Sequence, residues 1–224
     1  MRKYLGCASS ALLVVGCATA PRPTIPPPAA TTSVEQLAAA IALDAKRMDH
    51  ESDSAARAEL AAEADRDAQS CIALDRQAVA CLYGRAVALG LEARTHPTRA
   101  GELLKTMLES LQEAEAADAA YDQAGPARVR ALVLIRAPGW PLGPGDVEAG
   151  VAAARRAVSL RPDYPPNLLA LAEALAKNGD STGAKATYAQ ARDAAQALPA
   201  TLDPDSLADK EEWVRQANEA LQRR

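Results

Sequence analysis

Three small-residue positions recur at a fixed interval in the second half of the chain and constrain its fold more than any other feature. Gly150, Ala154 and Ala157 are repeated thirty-four residues later as Ala184, Tyr188 and Ala191. A third set, Ala64, Ala68 and Cys71, has the same internal spacing of four and three. The first and third sets end alike, in Ser159-Leu160-Arg161-Pro162 and Ala73-Leu74-Asp75-Arg76. Spacings of three and four put such residues on one helical stripe. A stripe of alanine and glycine lets a second helix approach closely, and a tyrosine beside it fills the remaining gap. A repeat longer than one helix means that each unit is a helix pair, burying its apolar face by stacking on the next.

The segment Pro165 to Gln196 carries the fullest copy. Leu168, Leu171, Ala172 and Leu175 lie on its first helix, Gly179-Asp180 makes the turn, and Ala184, Tyr188 and Ala191 lie on the second. Leu82, Ala86 and Leu89 supply the first helix that follows the Ala64 set. This pattern resembles the tetratricopeptide repeat, and the fold expected is all-α, a tetratricopeptide-like αα solenoid of about nine helices. Apolar residues elsewhere keep the helical period, as in Leu37, Ile41 and Ala45, or Leu103, Met107 and Leu111, and no window sustains a period of two. Ser33 with Gln36 forms a capping-box signature, Gly125-Pro126 places proline at a first helical position, and Ser181 precedes another helix. Helices are predicted over roughly 34–49, 54–74, 78–94, 98–118, 126–136, 147–160, 166–178, 182–198 and 206–222.

The amino terminus is expected to be processed. A charged start, Met1-Arg2-Lys3, precedes a short apolar run from Leu5 to Gly16, too short to span a bilayer. Its end, Val14-Val15-Gly16-Cys17, resembles the lipobox of bacterial lipoproteins, which implies a signal peptide over 1–16 and acylation of Cys17. Ala18 follows the acceptor where that resemblance would put aspartate for inner-membrane retention, so the expected address is the periplasmic face of the outer membrane. Membrane attachment would run through this lipid only. Ala18 to Ser33 holds five prolines and completes a tether over 17–33, reaching ~50 Å if stretched as polyproline II. Loss of Arg2 and Lys3 takes the formal charge from −4 to −6, which argues against nucleic acid as a partner. Residues 34–224 suffice for one domain with a real core.

Cys71 and Cys81 are the cysteines left in that domain, at the end of one predicted helix and the start of the next. In an oxidising compartment a short interhelical turn brings two such cysteines within disulfide reach, and a Cys71–Cys81 bridge is expected. Two buried free thiols are the alternative. Two cysteines with no histidine near them do not make a metal site, and no metal or cofactor is expected. His50 and His96 each fall at a helix end among polar residues, where solvation is the simplest role. No serine sits in a nucleophile elbow, no glycine-rich loop has phosphate-binding spacing, and carboxylate pairs such as Glu113/Glu115 and Glu211/Glu212 suit exposed helix faces. No nucleophile, base and orienting group assemble, so no catalytic role is expected.

The stretch RAPGWPLGPGD, Arg136 to Asp146, breaks the helical pattern with three of the fifteen prolines, three of the twelve glycines and one of the two tryptophans. Pro138 stops the preceding helix, Pro141 and Pro144 stiffen the loop, and Asp146 is placed to cap the next helix. Trp140 is therefore held nearly fixed. The expectation is that it plugs the shortened helix end with part of its ring exposed. The alternative is an anchor for a ligand or partner, together with Tyr121 and Tyr164 beside it. The order Tyr121-Asp122, Gly125-Pro126, RAPGWPLGPGD, then an alanine-rich helix pair, resembles the T-component family of TRAP transporters. That resemblance covers about Cys71 to Leu198. It implies a lipid-anchored periplasmic scaffold without enzymatic activity, whose protein partner is a solute-binding component. Two further functions stay open: a small-molecule carrier with an apolar cleft, and an assembly factor or pilotin for an envelope machine.

Overall fold

A computed structural model describes residues 32–223. The expected signal peptide over 1–16, Cys17 and the tether as far as residue 31 lie outside the described residues. Within them the chain forms nine helices: α1 (Val34–His50), α2 (Ser54–Leu74), α3 (Val79–Thr95), α4 (Ala100–Ala117), α5 (Tyr121–Arg136), α6 (Val147–Leu160), α7 (Pro165–Lys177), α8 (Ser181–Ala197) and α9 (Pro204–Gln222). Each helix packs on the next. The odd helices also touch one another in turn, α1 on α3, α3 on α5, α5 on α7 and α7 on α9, whereas the even helices touch only their sequence neighbours among the described residues. The odd helices thus form the inner layer of a curved stack, which makes the fold an all-α αα solenoid.

The small-residue stripe works as its spacing predicts. Ala64, Ala154, Ala157 and Ala191 have no exposure, and Ala68 and Ala184 almost none. A Cβ added to Gly150 would overlap Ile135 Cγ2, so α5 and α6 cross at a distance only glycine allows. Tyr188 packs half-buried against the cluster of Ala131, Ile135, Val151 and Leu175. Towards the amino terminus the core passes to Ile41, Met48 and Leu91, with Ala61 and Ala64 between them.

The ends follow local chemistry. Ser33 and Gln36 form a reciprocal capping box, and the Asp146 carboxylate accepts from the Ala149 amide at 3.0 Å. Ser181 is not the cap of α8; the Asp180 carboxylate takes that place, accepting from the Gly183 amide at 2.8 Å after a turn with Gly179 at φ +84°. Helix α9 starts two residues earlier than the sequence suggests, because Asp203 caps it and Pro204 fits its first turn. The Cys71–Cys81 disulfide is formed, with Cα atoms 5.2 Å apart, tying the end of α2 to the start of α3. Both cysteines are fully buried.

The largest departure lies at the start of α5. The sequence suggests a helix beginning at Pro126, but the coil begins at Tyr121, with Asp122, Gln123 and Ala124 all left-handed at φ +47°, +55° and +65°. None of the three is glycine. Each pays a steric penalty of about 1–2 kcal/mol in that conformation, so the turn persists because tertiary contacts impose it.

Candidate functional site

Side chains from three repeats converge on that left-handed turn. Asn167, fully buried near the start of α7, donates through Nδ2 to the Gln123 carbonyl at 3.0 Å. The same nitrogen lies 3.3 Å from the Ala157 carbonyl and 3.2 Å from that of Arg161. Arg128, one turn into the right-handed part of α5, reaches back to the turn. Its Nη1 donates to the carbonyls of Asp122 and Gln123 at 3.2 and 3.3 Å and to Asn167 Oδ1 at 3.2 Å. Its Nη2 meets the Asp122 carboxylate at 2.9 Å. Carbonyls left without helical partners are thus satisfied by one guanidinium and one amide. From the amino-terminal side, the Tyr83 hydroxyl of α3 donates to the same Asp122 oxygen at 3.0 Å. Burial, then the Asp122 charge, pushes the Tyr83 phenol far above its ordinary value.

Aromatic rings continue the cluster in both directions. Tyr83 and Tyr121 meet edge to face at 5.5 Å, and Tyr164 meets Trp213 of α9 edge to face at 5.8 Å. The Arg128 guanidinium lies 5.3 Å from the centre of the Tyr164 ring, within cation–π reach. Beyond Trp213 opens a groove of about 650 Å³ between α5, α7, α8 and α9, with Tyr188 on its wall. A smaller hollow of about 140 Å³ lies beside Tyr83 and Tyr121, between α1 and α3. Of the seven aromatic residues in the chain, Tyr83 and Tyr121 therefore border the smaller hollow, and Tyr188 and Trp213 the groove, with Tyr164 against Trp213.

Trp140 is elsewhere, and the plug expectation is overturned. Its side chain is 91% exposed, and Leu142 two residues on is 78% exposed. The helix end is closed by the loop's own backbone. Asp146 N donates to Leu134 O and Gly145 N to Pro138 O, both at 2.9 Å, and a Cβ on Gly145 would meet Pro138 and Ala137 oxygens. No room remains under the loop for an indole, so Trp140 points outward. Tyr121 is the first residue of α5 and Trp140 lies beyond its last, so the three expected partners do not gather. Tyr121 and Tyr164 belong to the inner cluster at the start of α5, and Trp140 stands at its opposite end.

Tyr83, Arg128 and Trp213 are not singled out by the sequence. The usable signal was the scarcity of aromatics: with no phenylalanine in the chain, each ring carries information. Among the described residues no three histidine, cysteine or acidic side chains come together to hold a metal, and no helix is long and apolar enough to cross a membrane. No protein-family profile matches the chain, and no curated protein does.

Proposed function

We propose that this protein is a non-enzymatic scaffold, lipid-anchored through Cys17 at the periplasmic face of the outer membrane, that docks a protein partner on the Trp140 loop. The observation that carries this reading is an indole and a leucine presented to solvent by a loop with its own internal hydrogen bonds. A rigid exposed aromatic loses little entropy on binding and is the residue type most enriched in interface hot spots. The partner that the T-component resemblance implies is a solute-binding protein.

Trp140→Ala tests the reading, because an exposed side chain contributes little to stability. The variant should unfold within about 0.5 kcal/mol of the parent and lose about 2 kcal/mol of partner affinity. Affinity capture of periplasmic proteins by parent and variant, followed by mass spectrometry, should show one partner depleted in the variant. An identical captured set would sink the proposal, as would a large loss of stability.

A second reading, a small-molecule carrier, is favoured by the groove beyond Trp213. Its volume of about 650 Å³ lies in the range of sites that enclose small ligands.

A further inference from the structure

The inner groove has a charge opposite to that of the protein around it. The chain as a whole carries −4, yet Arg128, Arg136, Lys177 and Arg223 line the groove against two carboxylates, Glu173 and Glu219. Both carboxylates are already engaged, Glu173 by Arg136 and Glu219 by Arg215. The Arg136 pairing uses Nε and Nη2, at 2.8 and 2.6 Å, and leaves Nη1 without a hydrogen-bond partner among the described residues. Lys177 and Arg223 have no ion pair among the described residues. An ammonium and two guanidinium groups with donors to spare thus face one hollow.

The remaining wall is apolar. Leu132 and Leu169 line it with Ala170, and the Trp213 indole closes one side, held by the edge of Tyr164. Tyr188 brings a phenol between the two kinds of surface. Its hydroxyl is raised chiefly by burial and by Glu173, while Arg223 and Arg136 act in the opposite direction, so these groups all lie around one ring. Guanidinium and ammonium donors bind carboxylates through charge-assisted hydrogen bonds, and the leucines and indole would cover an apolar body.

From this juxtaposition we infer that the groove between α5, α7 and α9 binds an amphipathic organic carboxylate, its head group at Arg136, Lys177 and Arg223 and its apolar chain along Leu169 and Trp213. The inference rests on the carrier reading and is independent of the Trp140 loop. It supplies what that reading lacks, the chemical class of the cargo.

Decanoate is a suitable probe, with decanol as the same chain lacking the charge and acetate as the charge lacking the chain. Titration calorimetry on the full chain would measure each. Trp140→Phe leaves Trp213 as the only indole, so its fluorescence should report occupancy of the groove. Decanoate should saturate a single site and bind about tenfold or more tightly than decanol, as charge-assisted hydrogen bonds warrant. Lys177→Glu should weaken decanoate by about the same factor. Lys177 is exposed and unpaired among the described residues, so unchanged circular dichroism is expected. Lys185→Glu, on the exposed face of α8, makes the same change of charge outside the groove and should have no effect. Equal affinity for decanoate and decanol would overturn the carboxylate assignment and leave the carrier reading standing. Binding of neither would overturn both. Acetate binding as tightly as decanoate would overturn the apolar wall's part, and insensitivity to Lys177→Glu would put the site elsewhere.

Discussion

Asp44 shows how one buried charge acts in a protein otherwise solvated at its surface. Its side chain is almost fully buried between α1 and α2 and has Arg47 as its ion-pair partner, at 3.4 Å. Burial, then the nearby Glu63, raises its carboxyl above the ordinary 3.8, and Arg47 offsets this only in part. A raised folded-state value means that the folded protein holds the proton more tightly than the unfolded chain. The charge therefore costs stability at neutral pH, and that cost is relieved as pH falls through the folded value. Asp44→Asn should raise the midpoint of urea unfolding at pH 7. Its advantage should vanish once the medium is acid enough to protonate the carboxyl in both states, below about pH 4. A variant less stable than the parent at pH 7 would show that the Arg47 pairing outweighs burial.

Among the elements, the start of α5 and the α2–α3 turn are the places where backbone geometry can be tested directly. Gln123 is exposed and left-handed, and its side chain has no hydrogen bond among the described residues. Glycine there escapes the steric penalty but has more freedom to lose on folding, so Gln123→Gly should stabilise by about 0.5 kcal/mol. The same change at Gln190, exposed on the right-handed α8, should cost about 1 kcal/mol. Equal losses at the two sites would mean that the left-handed turn does not exist in solution. The disulfide closes a loop of sequence separation 10. Short loops restrict the unfolded chain modestly, so reduction should cost about 2–3 kcal/mol. That corresponds to a fall in Tm of roughly 5–10 °C for a domain of this size. Differential scanning calorimetry with and without reductant would measure it, and a fully unfolded reduced protein would contradict the estimate.

Over the whole molecule, stability should be graded along the stack. Every interior helix is covered on two sides, but α9 closes the series and buries only Ala217 among its described residues. Its amino-terminal half meets α1 through Lys46 and Asp209, 3.4 Å apart and both exposed, a pairing of the kind that contributes little. Hydrogen exchange followed by mass spectrometry should find α9 exchanging first through local opening, with α3 and α7 the slowest. Equal protection of α9 and α7 would indicate that the last helix is covered by something further, such as a second copy or a ligand in the groove. Because α9 carries Trp213 and one wall of the groove, the same experiment with decanoate should slow α9 selectively.

The helical class, the small-residue stripes, the break at Pro138 and the cysteine pairing were legible in the sequence because each depends on residues close along the chain. A three-and-four spacing selects one helix face whatever lies opposite, and a sequence separation of 10 bounds the distance between the cysteines. The left-handed turn was not legible. Asp122, Gln123 and Ala124 include no glycine to favour the left-handed region, and the turn is held because Asn167 and Arg128 satisfy the carbonyls of Asp122 and Gln123 from outside. The direction of Trp140 was equally hidden. Local chemistry stiffened its loop, but which face looked outward depended on Gly145 lying against Pro138. The groove belongs wholly to the tertiary structure. Its cations come from α5, α7 and the end of α9, and only the curvature of the stack brings residues 136, 177 and 223 to one hollow.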